Sequence, residues 1–217
     1  MQFVLEQIRT GGDRNFAYLL GDRATGRAAI VDPSYAPEAV VERAQAQGLN
    51  IDYIINTHGH PDHTNGNAEA TRLTGAPLAA LAGSPVGPDV SLSDGSTLKV
   101  GSLRLTVFHV PGHCADHILL YLPEQKVALT GDLLFVGKIG GTRTDDEARD
   151  EYHSLTRALQ ELPDDVTVWP GHDYGCRPAS TIALEKATNP FLLVKDFPEF
   201  LELKRDWSQF KKKNGLA

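Results

Sequence analysis

Short apolar runs, each closed by glycine or an acidic residue, recur through the first 130 positions at a spacing that predicts strands. Residues 3–8, 16–20 and 28–31 are three such runs, separated by Gly11-Gly12-Asp13 and by a turn from Gly21 to Gly26. The chain therefore opens as a β-meander. After Asp32-Pro33-Ser34 the period changes: Ala39, Val40 and Ala44 have helical spacing, which predicts a helix over residues 37–47 ended by Gly48. Residues 51–55 read as a buried strand running into a loop, and residues 68–73 as a helix behind the polar residues Thr64, Asn65, Gly66 and Asn67. Strands are predicted at 77–80, 97–100, 103–110, 117–122 and 127–130. Beyond Thr130 the order becomes helix 147–162, strand 166–169 and helix 178–187 with Pro178 at its first position. A final amphipathic stretch covers residues 197–212.

Many strands with few, regularly placed helices predict an α/β fold, two mixed β-sheets packed together with helices outside. No stretch has linker composition, so a single domain over residues 1–217 is expected, with a short helical C-terminal segment at about 178–213. Apolar residues at 41% and charged residues at 23% are ordinary globular composition, and the net charge of −7 argues against nucleic acid as a partner. Apolar runs too short for a membrane span, and an N-terminus unlike a signal peptide, predict a cytoplasmic protein without membrane contact. Cys114 and Cys176 are too few for a disulfide framework and suit a reducing compartment.

The densest chemistry lies in Thr57-His58-Gly59-His60-Pro61-Asp62-His63, three imidazoles and a carboxylate within six residues. Such donors suit zinc, iron and manganese alike, so the motif predicts a metal site before it predicts a metal. A helix would set His58 and His60 on opposite sides, whereas a loop directs both inward, and Pro61 biases His60 away from helical angles. Three later points repeat one form, a strand running into a glycine turn beside a ligand-type residue: Pro111-Gly112-His113, Gly131-Asp132 and Pro170-Gly171-His172. His109, His117 and His153 stand outside this set; His117 is a candidate to orient a ligand, and Asp32 a candidate to support His63 or His58 from beneath.

The ordered set His58, His60, Asp62, His63, His113, Asp132 and His172 resembles the metallo-β-lactamase superfamily, in particular its glyoxalase II (hydroxyacylglutathione hydrolase) and persulfide dioxygenase branch. Tyr18-Leu19-Leu20-Gly21-Asp22, Val31-Asp32-Pro33 and Gly171-His172-Asp173-Tyr174 extend the likeness over nearly the whole chain. The resemblance implies an αββα sandwich with metals at one edge of the sheets. It implies one metal on His58, His60 and His113, a second on Asp62, His63 and His172, and Asp132 as the bridge, with Asp62 and Asp132 catalytic. It also implies one or two divalent ions, zinc first, with iron or manganese as alternatives.

The segment after Asp132 should carry specificity. Glyoxalase II enzymes resembling the usual form show Gly-Cys-Gly and then a basic residue that helps hold glutathione; here Ile139 stands for the Cys and Gly141 for the basic residue. Lys138 and Arg143 are the replacement candidates, with Tyr174 as a further substrate contact. Arg143-Thr144-Asp145 matches the end of the persulfide dioxygenase motif only after a two-residue shift, and the chain after His172 is too short for the full glyoxalase II extension. The expected function is a metal-dependent hydrolase of a thioester such as an acylglutathione. The alternative is an iron-dependent glutathione persulfide dioxygenase, and a third reading is a metal protein that binds a thiol without turnover. The partner is then a small thiol-derived molecule, and the protein a monomer or homodimer.

Overall fold

The computed structural model describes residues 2–215. In chain order the elements are β1 (Phe3–Gly11), β2 (Asn15–Asp22), β3 (Arg27–Val31), α1 (Pro37–Ala46), β4 (Asn50–Ile55), α2 (Pro61–Thr64), α3 (Asn67–Thr74), β5 (Leu78–Leu81), β6 (Val90–Leu92), β7 (Thr97–Val100), β8 (Leu103–His109), β9 (Ile118–Leu122), β10 (Val127–Gly131), β11 (Leu134–Phe135), β12 (Lys138–Ile139), α4 (Asp145–Glu161), β13 (Thr167–Pro170), β14 (Ser180–Thr181), α5 (Ile182–Thr188), α6 (Phe197–Arg205) and α7 (Trp207–Asn214). One six-stranded sheet has the order β1-β2-β3-β4-β5-β6 and the other β14-β13-β10-β9-β8-β7, while β11 and β12 pair separately. Both large sheets are mixed, antiparallel through the hairpins and parallel where β3, β4, β5 and β6 or β10 and β13 run side by side.

Alternation along the strands sorts the apolar side chains into layers. Phe16, Tyr18 and Leu20 of β2 face Leu105 and Val107 of β8 and Leu120 of β9 in a core between the sheets. Ala17 and Leu19 point the other way, onto Val40, Val41 and Ala44 of α1. Leu119 and Ala128 likewise meet Leu155 and Ala158 of α4 and Phe200 of α6. Strands covered on both faces read as continuous apolar runs, and burying each large side chain contributes about 1.5–3 kcal/mol. The result is the αββα layering expected from the chain.

Four departures have local causes. Pro178 does not begin a helix: the chain first pairs Ser180 and Thr181 with β13, and α5 starts at Ile182, where Thr181 Oγ1 accepts the Leu184 N–H at 3.2 Å. The 197–212 stretch is two helices, divided at Asp206, which holds φ −98° and ψ 12°. Strands β6, β11, β12 and β14 were not expected, since two or three residues are too few to show a period. The α4 helix begins at Asp145 rather than 147, behind a capping box in which Thr144 and Glu147 satisfy each other's backbone N–H groups.

Asp22, at the end of β2, ties the first sheet to the β7–β8 turn. Its carboxylate accepts Ser102 Oγ at 2.7 Å, the Ser102 N–H at 2.9 Å and Thr25 Oγ1 at 3.0 Å. Ser102's hydroxyl and amide chiefly, with Thr25 and Ala24 added and burial opposing, lower its pKa to about 2. A depressed carboxylate pKa stabilises the fold above the unfolded value, and that contribution is lost as the pH falls toward the folded one. Urea unfolding should therefore show Asp22→Asn less stable than wild type at neutral pH, with the gap closing between about pH 4 and pH 2. A gap that stays constant over that range would show that ionised Asp22 does not carry the effect.

Candidate metal centre

The ligand-type residues leave the C-terminal ends of β4, β8, β10 and β13, which meet at one edge of the two sheets. His58 and His60 follow β4. His60 is extended at φ −66° and ψ 141°, and Pro61 opens the single turn of α2, which carries Asp62 and His63. Gly131, at φ +48°, bends the chain into Asp132; a Cβ there would stand 2.7 Å from His117 Nε2. Gly171 admits the cluster itself, since a Cβ would fall 2.3 Å from Asp132 Oδ1.

All seven donors converge. His60 Nδ1 lies 3.0 Å from both His58 Nε2 and His113 Nε2. His63 Nε2 lies 3.2 Å from His172 Nε2 and 3.4 Å from Asp132 Oδ1. Asp132 Oδ2 is 3.2 Å from His172 Nε2 and 3.5 Å from His113 Nε2, and Asp62 Oδ2 is 3.4 Å from His172 Nε2. Donors bound at 2.0–2.1 Å to one ion stand roughly 2.8–3.0 Å apart in octahedral and roughly 3.3–3.4 Å apart in tetrahedral geometry. Three overlapping triads result: His58 with His60 and His113, His58 with His63 and Asp132, and Asp62 with His63 and His172.

The far side of each ring fixes which nitrogen is free. His113 Nδ1 faces the Gly141 carbonyl at 2.8 Å and His172 Nδ1 the Asp13 carbonyl at 2.8 Å. His63 Nδ1 faces Asp32 Oδ2 at 3.0 Å, while His58 Nδ1 meets Thr57 Oγ1, whose hydroxyl donates to the same Asp32 oxygen at 2.7 Å. Protons held on Nδ1 leave the Nε2 lone pairs of His58, His63, His113 and His172 converging on carboxylate oxygens, an arrangement that a shared cation satisfies. Asp32 thus reaches both His63 and, through Thr57, His58.

Charge points the same way. Burial would raise the Asp132 carboxyl, yet His63, His172 and His58 hold it well below the usual carboxylate range. Its Oδ1 is buried without a hydrogen-bond partner among the described residues. Burial and the neighbouring imidazoles push His58 well down, and burial lowers His113 despite Asp132. Burial also opposes charge on His63, but Asp132 and Asp32 overcome it and raise that ring well above its ordinary value. An ionised, enclosed carboxylate that draws protons onto its neighbours fits the place of a divalent ion.

His117 is fully buried, stacks on His58 at 4.8 Å, and through Nε2 accepts the Asp132 N–H at 2.9 Å, so it orients the Asp132 turn. His109 stays in β8, bonded to the Ala115 carbonyl, and His153 lies on α4 beside Tyr152. Cys114 donates to Asp116 Oδ1 at 2.9 Å, and Cys176 is exposed. Tyr174 stacks on His172 with ring centroids 4.7 Å apart, and Lys138 Nζ lies 4.0 Å from the Tyr174 centroid. Arg143 is turned to Glu147 at 3.6 Å and is largely exposed. Lys138 and Arg143 both line a cavity of about 360 Å³ between the Gly140-Gly141 turn and α6, which Trp207 also lines. Sequence reasoning missed Asn15, whose Nδ2 donates to Asp62 Oδ2 at 2.8 Å; a lone Asn before an apolar run carries no distinguishing spacing.

A two-sheet sandwich holding a His/Asp donor cluster at its edge is a framework of metal-dependent enzymes. The chain belongs to the metallo-beta-lactamase superfamily, whose family model matches residues 10–83 and 77–172. It is 37% identical over 177 residues to the hydroxyacylglutathione hydrolase of Polaromonas sp., covering 79% of this chain and 67% of that protein. It is 32% identical over 199 residues to the human mitochondrial persulfide dioxygenase ETHE1, covering 88% and 76%. The crystal structure of ETHE1 from Myxococcus xanthus superposes with a TM-score of 0.87 at 30% identity, covering 94% of this chain and 91% of that one. One or two divalent metal ions accordingly belong to a chain of this family, and its His/Asp clusters could hold them.

Asp32→Ala should weaken metal binding about 10–100-fold, the range expected when a carboxylate behind a ligating imidazole is removed. A competition titration against a chromophoric chelator measures this directly, and unchanged affinity would exclude Asp32 from the support of the centre.

Proposed function

We propose that the chain is a metal-dependent hydrolase that cleaves a thioester of a glutathione-type thiol to a carboxylic acid and the free thiol. One observation carries this reading: seven nitrogen and oxygen donors, without a cysteine sulfur among them, adjoin as two subsites in a chain similar to a hydroxyacylglutathione hydrolase. His58, His60 and His113 form the first subsite, Asp62, His63 and His172 the second, and Asp132 lies between them. A bound divalent ion there supplies Lewis acidity, which lowers the pKa of water toward about 7 and polarises a carbonyl. The chain's own part is to hold the donors in register through Asp32, Thr57, Asp13 and Gly141, and to keep Asp132 ionised. Asp62, about one-third exposed, is the carboxylate at the open side, placed to accept a proton from attacking water. A single domain working in the cytoplasm on a small thiol-derived substrate completes the reading.

Lys138 is the better candidate for the substrate's carboxylate. Arg143 is paired with Glu147, Lys204 with Glu151 and Arg205 with Asp145, whereas no carboxylate among the described residues pairs with Lys138. Burial chiefly, then Lys211 and Arg14, lower its pKa, so an incoming anion meets a partly desolvated ammonium. Lys138→Ala should raise the KM for an acylglutathione about 10–150-fold, the equivalent of a charge-assisted contact of roughly 1.5–3 kcal/mol, with little change in kcat. Arg143→Ala should leave KM nearly unchanged; the reverse ranking would move the contact to Arg143.

A second reading, an iron-dependent persulfide dioxygenase, has its own support: the chain covers 91% of the ETHE1 structure but only 67% of the hydrolase relative. The two separate by metal and oxygen, because hydrolysis needs a Lewis acid while dioxygenation needs redox-active iron. Zinc- or manganese-loaded protein should cleave a hydroxyacylglutathione without oxygen. Iron-loaded protein that consumes oxygen with glutathione persulfide, and leaves the thioester intact in every metal form, would overturn the hydrolase reading.

A further inference from the structure

The first residue of β2 touches the metal centre at the edge of the sheet where β4 ends. Asn15 is fully buried, and its Nδ2 donates to Asp62 Oδ2 at 2.8 Å and to the Asp62 carbonyl at 3.3 Å. Its backbone forms an isolated antiparallel bridge with His172, next to the Phe16 N–H that donates to the Gly171 carbonyl at 2.8 Å. One residue therefore engages two of the three donors of the second subsite and none of the first.

Two observations separate this from ordinary packing. Asn15 Oδ1 is buried without a hydrogen-bond partner among the described residues, a cost to the fold that an apolar side chain would avoid. Turning the amide over brings no relief, because Oδ1 would then face the Asp62 carboxylate. Gly12, at φ +56°, leaves the room this orientation needs: a Cβ there would stand 2.6 Å from Asn15 Oδ1. Asp62, for its part, is at the open side with 32% of its side chain exposed. Among the described residues no other amide, hydroxyl, lysine or arginine side chain donates to its carboxylate. A carboxylate that exposed samples several rotamers unless a donor selects one; the Asn15 N–H selects the rotamer whose Oδ2 looks at His63 and His172.

We propose that Asn15 is the positioning residue of the second metal subsite: it presets Asp62 and the His172 backbone, and so determines whether the centre takes up a second ion. This rests on the two-subsite reading above and deepens it, since occupancy of the second subsite is what distinguishes a two-ion centre from a one-ion centre built on the same donors.

The test compares wild type with Asn15→Leu, which keeps the branched heavy-atom skeleton but has no donor, and with Asn15→Ala. Each metal-free protein is titrated with zinc against a chromophoric chelator, which resolves the first equivalent from the second, and a thermal melt of the metal-free form confirms folding. The second equivalent should weaken about 10–100-fold while the first moves by less than about threefold. Loss of both equivalents in parallel would show a structural role only, and unchanged binding of both would show none; either overturns the proposal while leaving two ions in wild type. A wild-type protein that takes up a single equivalent would instead overturn the two-subsite reading, and the role of Asn15 with it.

Discussion

A carboxylate enclosed at the seam of two sheets is the constraint from which the rest of the centre follows. Asp132 is 5% exposed, is held ionised by its neighbours, and keeps one oxygen free of any hydrogen-bond donor among the described residues. A buried anion is tolerated only where positive charge or hydrogen bonds meet it. Here the imidazoles of His63, His113 and His172 stand 3.2–3.5 Å from it, at ligand spacing rather than at good hydrogen-bond length. The groups behind those rings engage each one at Nδ1, so that Nε2 is turned to Asp132. Its own N–H is spent on His117, which stacks on His58, so the turn that places Asp132 also backs the His58 ring.

That arrangement depends on strand ends, and strand ends are where the two sheets can cooperate. Asp32 and Asn15 come from the first sheet, and Asp132 and His172 from the second. Asp32, at φ +49°, turns its carboxylate under Thr57 and His63 and joins both to one anchor. The strained φ is compensated by three hydrogen bonds, the kind of local cost that persists where the surroundings determine a conformation. Packing between the sheets through Tyr18, Leu105, Leu120 and Leu129 therefore sets the distance between ligands that lie far apart in the chain.

This division explains what was legible in the sequence. Strands buried on both faces announce themselves as apolar runs, and the repeated form of strand, glycine and ligand-type residue marks His113, Asp132 and His172, which the fold brings together at one edge. The His58 to His63 motif needed only local geometry, because Pro61 and the loop settle how its rings diverge. What stayed hidden was set by tertiary partners. Asn15 meets Asp62, far along the chain, only because β2 begins where β4 ends at one edge of the sheet, and Arg143 turns to Glu147, four residues on in a capping box. The break at Asp206 divides a stretch whose amphipathic period runs on without interruption, so pattern alone could not place it.

The segment beyond residue 172 lies outside the family match, yet it supports the centre. Lys204 of α6 inserts its ammonium between Glu151 of α4 and the Gly140 carbonyl, the latter at 2.9 Å, and the next carbonyl, Gly141, is the one that fixes His113. Glu151 is wholly buried; burial raises its pKa to about 7 against the pull of Lys204. Breaking such a pair leaves an uncompensated charge, typically at a cost of about 3–5 kcal/mol, so α6 is bound to the turn more firmly than its apolar contacts alone require. The same helix forms one wall of the cavity whose opposite wall is Lys138 to Asp145. The donor cluster and the cavity thus share a boundary, and a change in the C-terminal helices that reshapes the cavity must also act on the turn behind His113.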